Sequence, residues 1–250
     1  MRRFRDALRK GTGAGVKIGV IDTGVADIPG LGNCIEEHFY IADIDKKLRL
    51  LTRLAGEDDL NHGTACADII HRYAPEATLF DVKVMDHRAE NSKYKLAGAI
   101  RLGIEQGWDV LNVCVGTQSD FSGLRQITAK AIECGLMIVA AVDCEGANQG
   151  FPASYPGVIS VDYDMYHPLA FGFSVSSAIC GHGVYVEAAN STGCSEYYTG
   201  SSFACPHITA LAARALQFHP GIRAEDFLDR LRNLDASDVF PTTLLHSEKQ

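Results

Sequence analysis

The chain has 250 residues, 46% of them hydrophobic and 22% charged, enough for one large domain with a well-buried core. Its formal net charge of -8 argues against a generally nucleic-acid-binding surface. No run of about 18 apolar residues is present to span a membrane.

The chain opens on a basic arm, residues 1–14, with Arg2, Arg3, Arg5, Arg9 and Lys10. No apolar stretch follows these charges, as a signal peptide would require; Gly11-Thr12-Gly13-Ala14-Gly15 does. The expectation is a helical arm packed on the domain, on a chain that begins at the domain itself without a prosegment. Apolar runs then read as buried strands of a parallel sheet at Val16–Ile21, Thr78–Val84, Val110–Val115, Leu136–Val142 and Val158–Val161. Val184–Ala188 is a further, weaker strand. Leu31–Asn61 is the least regular part and reads as a surface excursion.

Helical patterns lie between the runs. Gly63–Tyr73 follows the acidic stretch Glu57-Asp58-Asp59. Tyr94–Gln106 places Leu96, Ile100 and Ile104 on one stripe, and Gly107 stops it. Ser122 is a candidate cap for a helix carrying Leu124, Ile127 and Ala131. His207–Phe218 is rich in Ala and Leu, and Ala224–Leu234 is a last amphipathic helix. The alternation implies a three-layer α/β/α domain with a mostly parallel sheet, followed by a tail at residues 236–250.

Eight cysteines stand at 34, 66, 114, 134, 144, 180, 194 and 205. With no secretion signal and several of them inside predicted elements, free thiols in a reducing cytosol are the expectation. A Cys180–Cys194 bridge is the best exception. A metal site on Cys180, His182 and Cys194 has poor spacing, and a loop is the better reading.

Three glycine-bearing motifs carry chemistry: Gly19-Val20-Ile21-Asp22-Thr23-Gly24, Asn61-His62-Gly63-Thr64-Ala65 and Gly200-Ser201-Ser202-Phe203-Ala204-Cys205-Pro206. They offer an acid, a base and a nucleophile, the set that acyl transfer needs. Asp22 falls at the carboxyl end of the first strand, the ligand-binding edge of an open α/β sheet. His62 sits on the first turn of a helix, and Gly63 leaves room for a substrate backbone. His71, nine residues on at about 100° each, lies on the opposite face. His38, His87, His182 and His246 lack a comparable context and read as surface residues. Pro206 falls in the first turns of the last motif's helix, where its missing N–H costs least.

The order Asp, His, Ser resembles the subtilisin-like serine proteases, the subtilases, and the likeness runs from about Gly15 to Leu234. In that family's register Ser202 is the nucleophile and Ser201 replaces a Thr. Leu111-Asn112-Val113-Cys114-Val115-Gly116 resembles the family's substrate strand. It implies that the backbone of Cys114, Val115, Gly116 and Thr117 pairs with an extended peptide. Phe151–Ile159 resembles the segment after the family's oxyanion loop. The oxyanion loop itself departs from the pattern: Cys144 stands where the family has Asn, and Asp143 precedes it. A thiol is a weak donor, and a carboxylate opposes a developing negative charge.

The resemblance implies a selective intracellular endopeptidase that processes or matures a peptide or protein substrate in the cytoplasm, with no nucleic-acid or membrane partner. The alternatives are a feeble peptide-binding scaffold of the same fold and an acyl-enzyme that passes its peptide to an amine, as a macrocyclase does. A thiol protease on Cys66 or Cys144 lacks the turn and helix that frame Ser202. No cofactor is certain. Calcium occurs in relatives, and Asp43, Asp45, Asp58 and Asp59 are available acids, but without a convincing ligand spacing.

Overall fold

The computed structural model describes residues 1–45, 47–87, 92–142, 150–163, 172–173, 178–234 and 239. Asp143, Cys144 and His246 lie outside the described residues.

Eleven strands and six helices are described: α1 (Arg2–Lys10), β1 (Lys17–Asp22), β2 (Ile35–Ile44), β3 (Lys47–Arg53), α2 (His62–Tyr73), β4 (Thr78–Lys83), α3 (Ser92–Glu105), β5 (Val110–Val113), α4 (Ser122–Glu133), β6 (Met137–Ala141), β7 (Ile159–Tyr163), β8 (Gly172–Phe173), β9 (Ile179–Gly181), β10 (Val186–Ala189), β11 (Ser195–Tyr198), α5 (Ser201–Phe218) and α6 (Ala224–Leu231). Nine strands form one sheet in the order β3-β2-β4-β1-β5-β6-β7-β9-β8, and β10 pairs with β11 in a separate ribbon. Only the two edge pairs of the large sheet, β2 with β3 and β8 with β9, are antiparallel.

The sheet is buried on both faces, as parallel sheets are. Alternate residues of the central strands feed two cores. Ile18 and Val20 of β1, with Val110 of β5, pack under α1, α2, α5 and α6, against Leu8, Ile70, Leu211 and Phe227. Leu111 and Val113 of β5 face the other side, against Leu96 and Ile100 of α3 and Leu124 and Ile127 of α4. The basic arm is structural as well as polar. Phe4, Ala7 and Leu8 of α1 are buried, and the Phe4 ring meets Phe227 edge-on at 6.1 Å.

Helix α5 is apolar almost all round, and fourteen of its eighteen residues are buried. Such a helix belongs inside a domain, not on its surface. It begins six residues earlier than the Ala and Leu pattern predicts, at Ser201, directly after Gly200 at φ 150.

Four sequence expectations are corrected. The stretch 31–61 holds β2 and β3, an antiparallel hairpin that extends the sheet. Ser122 does not cap α4: Phe121 holds the cap position without a side-chain hydrogen bond, and Ser122 is the first helical residue. Cys194 is a free thiol, so the bridge to Cys180 does not form. His38 is buried, with Nδ1 3.0 Å from Asp81 Oδ2 and Nε2 3.3 Å from Asp27 Oδ1. The Asp81 hydrogen bond raises its pKa above the ordinary histidine value, against the effect of burial.

Candidate functional site

The chain reverses its direction of travel across the sheet at β1, which lies between β4 and β5. A crevice therefore opens beyond the carboxyl ends of β1 and β5. Asp22 ends β1 there and is fully buried. His62 starts α2, and its Nδ1 lies 2.6 Å from Asp22 Oδ1. That same oxygen accepts the Thr23 N–H at 2.7 Å, whereas Asp22 Oδ2 is buried without a partner among the described residues.

The His62 side chain is 26% exposed. Burial alone would lower its pKa, but the Asp22 charge and hydrogen bond outweigh burial and push it up to about 9. The ring packs against Phe203 at 5.2 Å, and Phe203 stacks on Tyr198 at 4.7 Å.

The position of His62 is fixed by residues to which sequence reasoning gave no such role. Asp58 is buried and accepts four hydrogen bonds: from Thr23 Oγ1 at 2.8 Å, Leu60 N at 3.1 Å, Thr64 N at 2.9 Å and Thr64 Oγ1 at 2.8 Å. Thr23 Oγ1 in turn accepts the Gly63 N–H at 3.0 Å, and Thr64 Oγ1 accepts the Ala26 N–H at 3.0 Å. The carboxylate therefore ties the end of β1 to the N-terminus of α2, where a negative charge also meets the helix dipole. Asn61 caps the helix in the left-handed conformation, φ 61, and its Oδ1 accepts the Ser191 N–H at 3.0 Å.

Gly63 does not leave room for a substrate. A Cβ there would lie 2.2 Å from the Gly24 carbonyl oxygen and 3.0 Å from Asp22 Cβ. Its role is to let α2 press against the turn after β1.

Ser202 is half-buried on the first turn of α5. Its hydroxyl donates to the Cys114 carbonyl at 3.3 Å, and no hydrogen bond joins it to His62 among the described residues. Catalytic contacts are commonly loose before substrate arrives. Its N–H has no acceptor among the described residues, as expected in the first turn of a helix. Ser201, the rival nucleophile, is buried and donates to the Val142 carbonyl at 2.6 Å.

Pro206 is the sixth residue of α5. Having no N–H, it cannot bond the carbonyl four residues back, which is that of Ser202. The cost therefore falls on the serine itself, not on groups that the helix start leaves unpaired anyway. Two thiols fill the gap: Cys114 Sγ lies 3.2 Å and Cys66 Sγ 3.4 Å from Ser202 O. Asn112 Nδ2 donates to Cys114 Sγ at 3.2 Å, and Thr209 Oγ1 donates to Asn112 Oδ1 at 2.8 Å. Burial drives the Cys66 and Cys205 thiols far up in pKa. Cys114 is buried too, but hydrogen bonds from Cys205 and Cys66 draw it below the usual thiol range.

The backbone of the expected substrate strand is engaged unevenly. Thr117 cannot pair with a peptide through its backbone, because its N–H and C=O both exchange bonds with Phe151 at 2.9 Å. Val115 and Gly116 carry no backbone–backbone bond among the described residues. Asp143 and Cys144 belong to a segment, 143–149, that is not described.

Two of the four acids named for calcium are already engaged. Asp58 is consumed by its four donors, and Asp59 pairs with Lys83 at 2.9 Å. Among the described residues the one group with metal-ligating spacing is Asp22, Cys66 and Cys114, which does not include Cys180, His182 or Cys194. Two sulfurs are the wrong donors for a hard cation.

The sheet order, with the Asp22–His62 pair and a serine at the head of a buried helix, defines a subtilisin-like α/β architecture. The subtilase family profile matches residues 13–246, and the chain belongs to that family. Subtilisin amylosacchariticus of Bacillus subtilis subsp. amylosacchariticus and Subtilisin E of Bacillus subtilis (strain 168) are each 27% identical over 240 residues, spanning 89% of this chain and 61% of the relative. The chain thus spans about three fifths of the length of these relatives. Among solved structures, S41 Psychrophilic Protease superposes with a TM-score of 0.74 at 22% identity, covering 91% of this chain and 87% of that one. Sphericase does so with a TM-score of 0.74 at 21% identity over the same shares. No helix among the described residues is long and apolar enough to cross a membrane.

Proposed function

We propose that the chain is a serine endopeptidase in which Asp22, His62 and Ser202 act as a triad. The observation that carries this reading is the 2.6 Å contact between Asp22 Oδ1 and His62 Nδ1, in the crevice that Ser202 also lines. Asp22 holds the imidazole in one tautomer, leaving Nε2 as the base. A rotation about χ1 frees the Ser202 hydroxyl from the Cys114 carbonyl and turns it toward that nitrogen. Ser202 Oγ then attacks the scissile carbonyl as His62 takes its proton. The same proton passes to the leaving amine, and water releases the acyl-enzyme. The oxyanion receives the Ser202 N–H at the positive end of α5, with a second donor from the segment around Asp143 and Cys144. With Cys144 at that position turnover is slow, which suits a selective enzyme.

The substrate is a peptide or protein in extended form, paired with the backbone at Cys114, Val115 and Gly116. The chain works as one peptidase domain, with the basic arm as part of it. Cys34, Cys66, Cys114, Cys134, Cys194 and Cys205 are free thiols, which supports a reducing compartment and a cytoplasmic maturation role. Calcium plays no part in this reading. The resting contact from Ser202 Oγ to Cys114 favours one rival, a peptide-binding scaffold without turnover.

A fluorophosphonate probe with peptide mapping separates the two readings. Labelling at Ser202 that disappears in Ser202→Ala is the expected result. A folded chain that takes no label would establish the scaffold.

A further inference from the structure

Behind the triad lies a cluster that the proposed mechanism does not use. One carboxylate oxygen of Asp22 and the sulfurs of Cys66 and Cys114 all lie within 4.8 Å of one another, and all three residues are buried. Cys205 is also fully buried, but its thiol donates to the Val139 carbonyl at 3.5 Å and stands outside the group. Asp22 brings an oxygen, Oδ2, that has no partner among the described residues. A buried, unpartnered carboxylate oxygen beside two thiols is a costly arrangement, and a bound cation would relieve it.

The elements that supply these groups are rigid. Cys66 is on α2, Asp22 ends β1, and Cys114 follows β5 in the same sheet. Tetrahedral zinc, with Zn–S near 2.3 Å, places two sulfurs about 3.8 Å apart, inside the limit the cluster allows. Two thiolates with one carboxylate suit a borderline ion such as zinc, not calcium or magnesium.

We infer that Asp22, Cys66 and Cys114 form a thiophilic metal site, of the class that takes Zn2+, whose occupation shuts down the serine centre. Binding forms two Zn–S bonds and one Zn–O bond and releases the thiol protons of Cys66 and Cys114 to solvent. A water takes the fourth position. The metal then draws on the carboxylate that orients His62. It also pulls both thiols from the Ser202 carbonyl, which Pro206 cannot bond. The inhibitory part rests on the triad reading; the metal site itself does not.

The test uses the full chain with the exposed thiols removed by Cys134→Ser and Cys194→Ser, kept reduced by a phosphine. Native mass spectrometry with Zn2+ should show one bound ion, and Cd2+ should give sulfur-to-metal charge-transfer absorption. Adding Cys66→Ala should abolish both; Cys66→Ser replaces it if circular dichroism shows the alanine chain unfolded. In the parent, saturating Zn2+ should slow fluorophosphonate labelling at least tenfold, reversibly on chelation. With Cys66 substituted, the ratio of rates with and without Zn2+ should stay near one. Absence of a bound ion, or equal binding after Cys66 substitution, would overturn the site. Cys66-dependent binding with unchanged labelling would overturn the inhibition. A chain that never labels leaves the metal readouts to stand alone, so failure of the triad reading stays distinguishable.

Discussion

Replacing Asp58 by Ala removes the acceptor of four hydrogen bonds at a position that is 6% exposed. The two main-chain donors, Leu60 N and Thr64 N, cannot turn elsewhere. Each loses a bond to a charged acceptor, worth about 1.5 kcal/mol on the low side of such bonds. The hydroxyls of Thr23 and Thr64 can rotate toward other acceptors and lose about 0.5 kcal/mol each. The sum is about 4 kcal/mol, which for a domain of this size lowers Tm by roughly 8–16 °C. Asp58→Asn keeps one oxygen and about half the bonds, and should cost about 2 kcal/mol. Urea unfolding reads both changes as a fall in midpoint at constant slope. The fluorophosphonate labelling rate should fall further than stability alone requires, because Thr23 and Gly63 lose their fixed relation to His62. A loss under about 1 kcal/mol for Asp58→Ala would refute the argument that this carboxylate holds α2 to β1.

Two further predictions follow from the same region. In Gly63→Ala the new methyl meets the Gly24 carbonyl, so either the turn or the helix must move. The expected cost is about 2–3 kcal/mol, seen as a lower urea midpoint, and an unchanged midpoint would mean that α2 slides freely. A His62 pKa of about 9 makes neutral imidazole scarce at pH 7, so Ser202 labelling should climb tenfold per pH unit and level off near pH 9. The same raised value means that the pair's contribution to stability is complete below about pH 6.5 and is lost as pH rises through about 9. A labelling midpoint near the ordinary histidine value would show that Asp22 does not govern His62.

The central strands were legible because a sheet covered on both faces demands apolar runs, and Val110–Val113 and Met137–Ala141 obey that rule. The hairpin of β2 and β3 was missed for the opposite reason. Its outer strand is exposed along most of its length, so burial left no apolar run to find. The alternation Lys47-Leu48-Arg49-Leu50 is a period-two signal that could have revealed it. Asp22, His62 and Ser202 stand out in the sequence because their motifs include glycines at tight approaches. Asp58 does not, since a carboxylate in an acidic surface-like stretch shows its value only when four donors converge on it. The first turns of α5 were legible from the Gly200–Pro206 motif, whereas the Ala- and Leu-rich pattern taken alone starts six residues late, at His207.

Helix α5 places Ser202, the proposed nucleophile, at the tip of the most enclosed helix among the described residues. Fraying of an edge cannot reach it. The outer strand β3, with Leu48 and Leu50 turned to solvent, can open at low free energy and leave Ser202 where it is. Inactivation by heat or denaturant is then a global event, and loss of labelling coincides with loss of the core. A cut in the exposed outer strand would therefore leave Ser202 in place until the whole fold gives way.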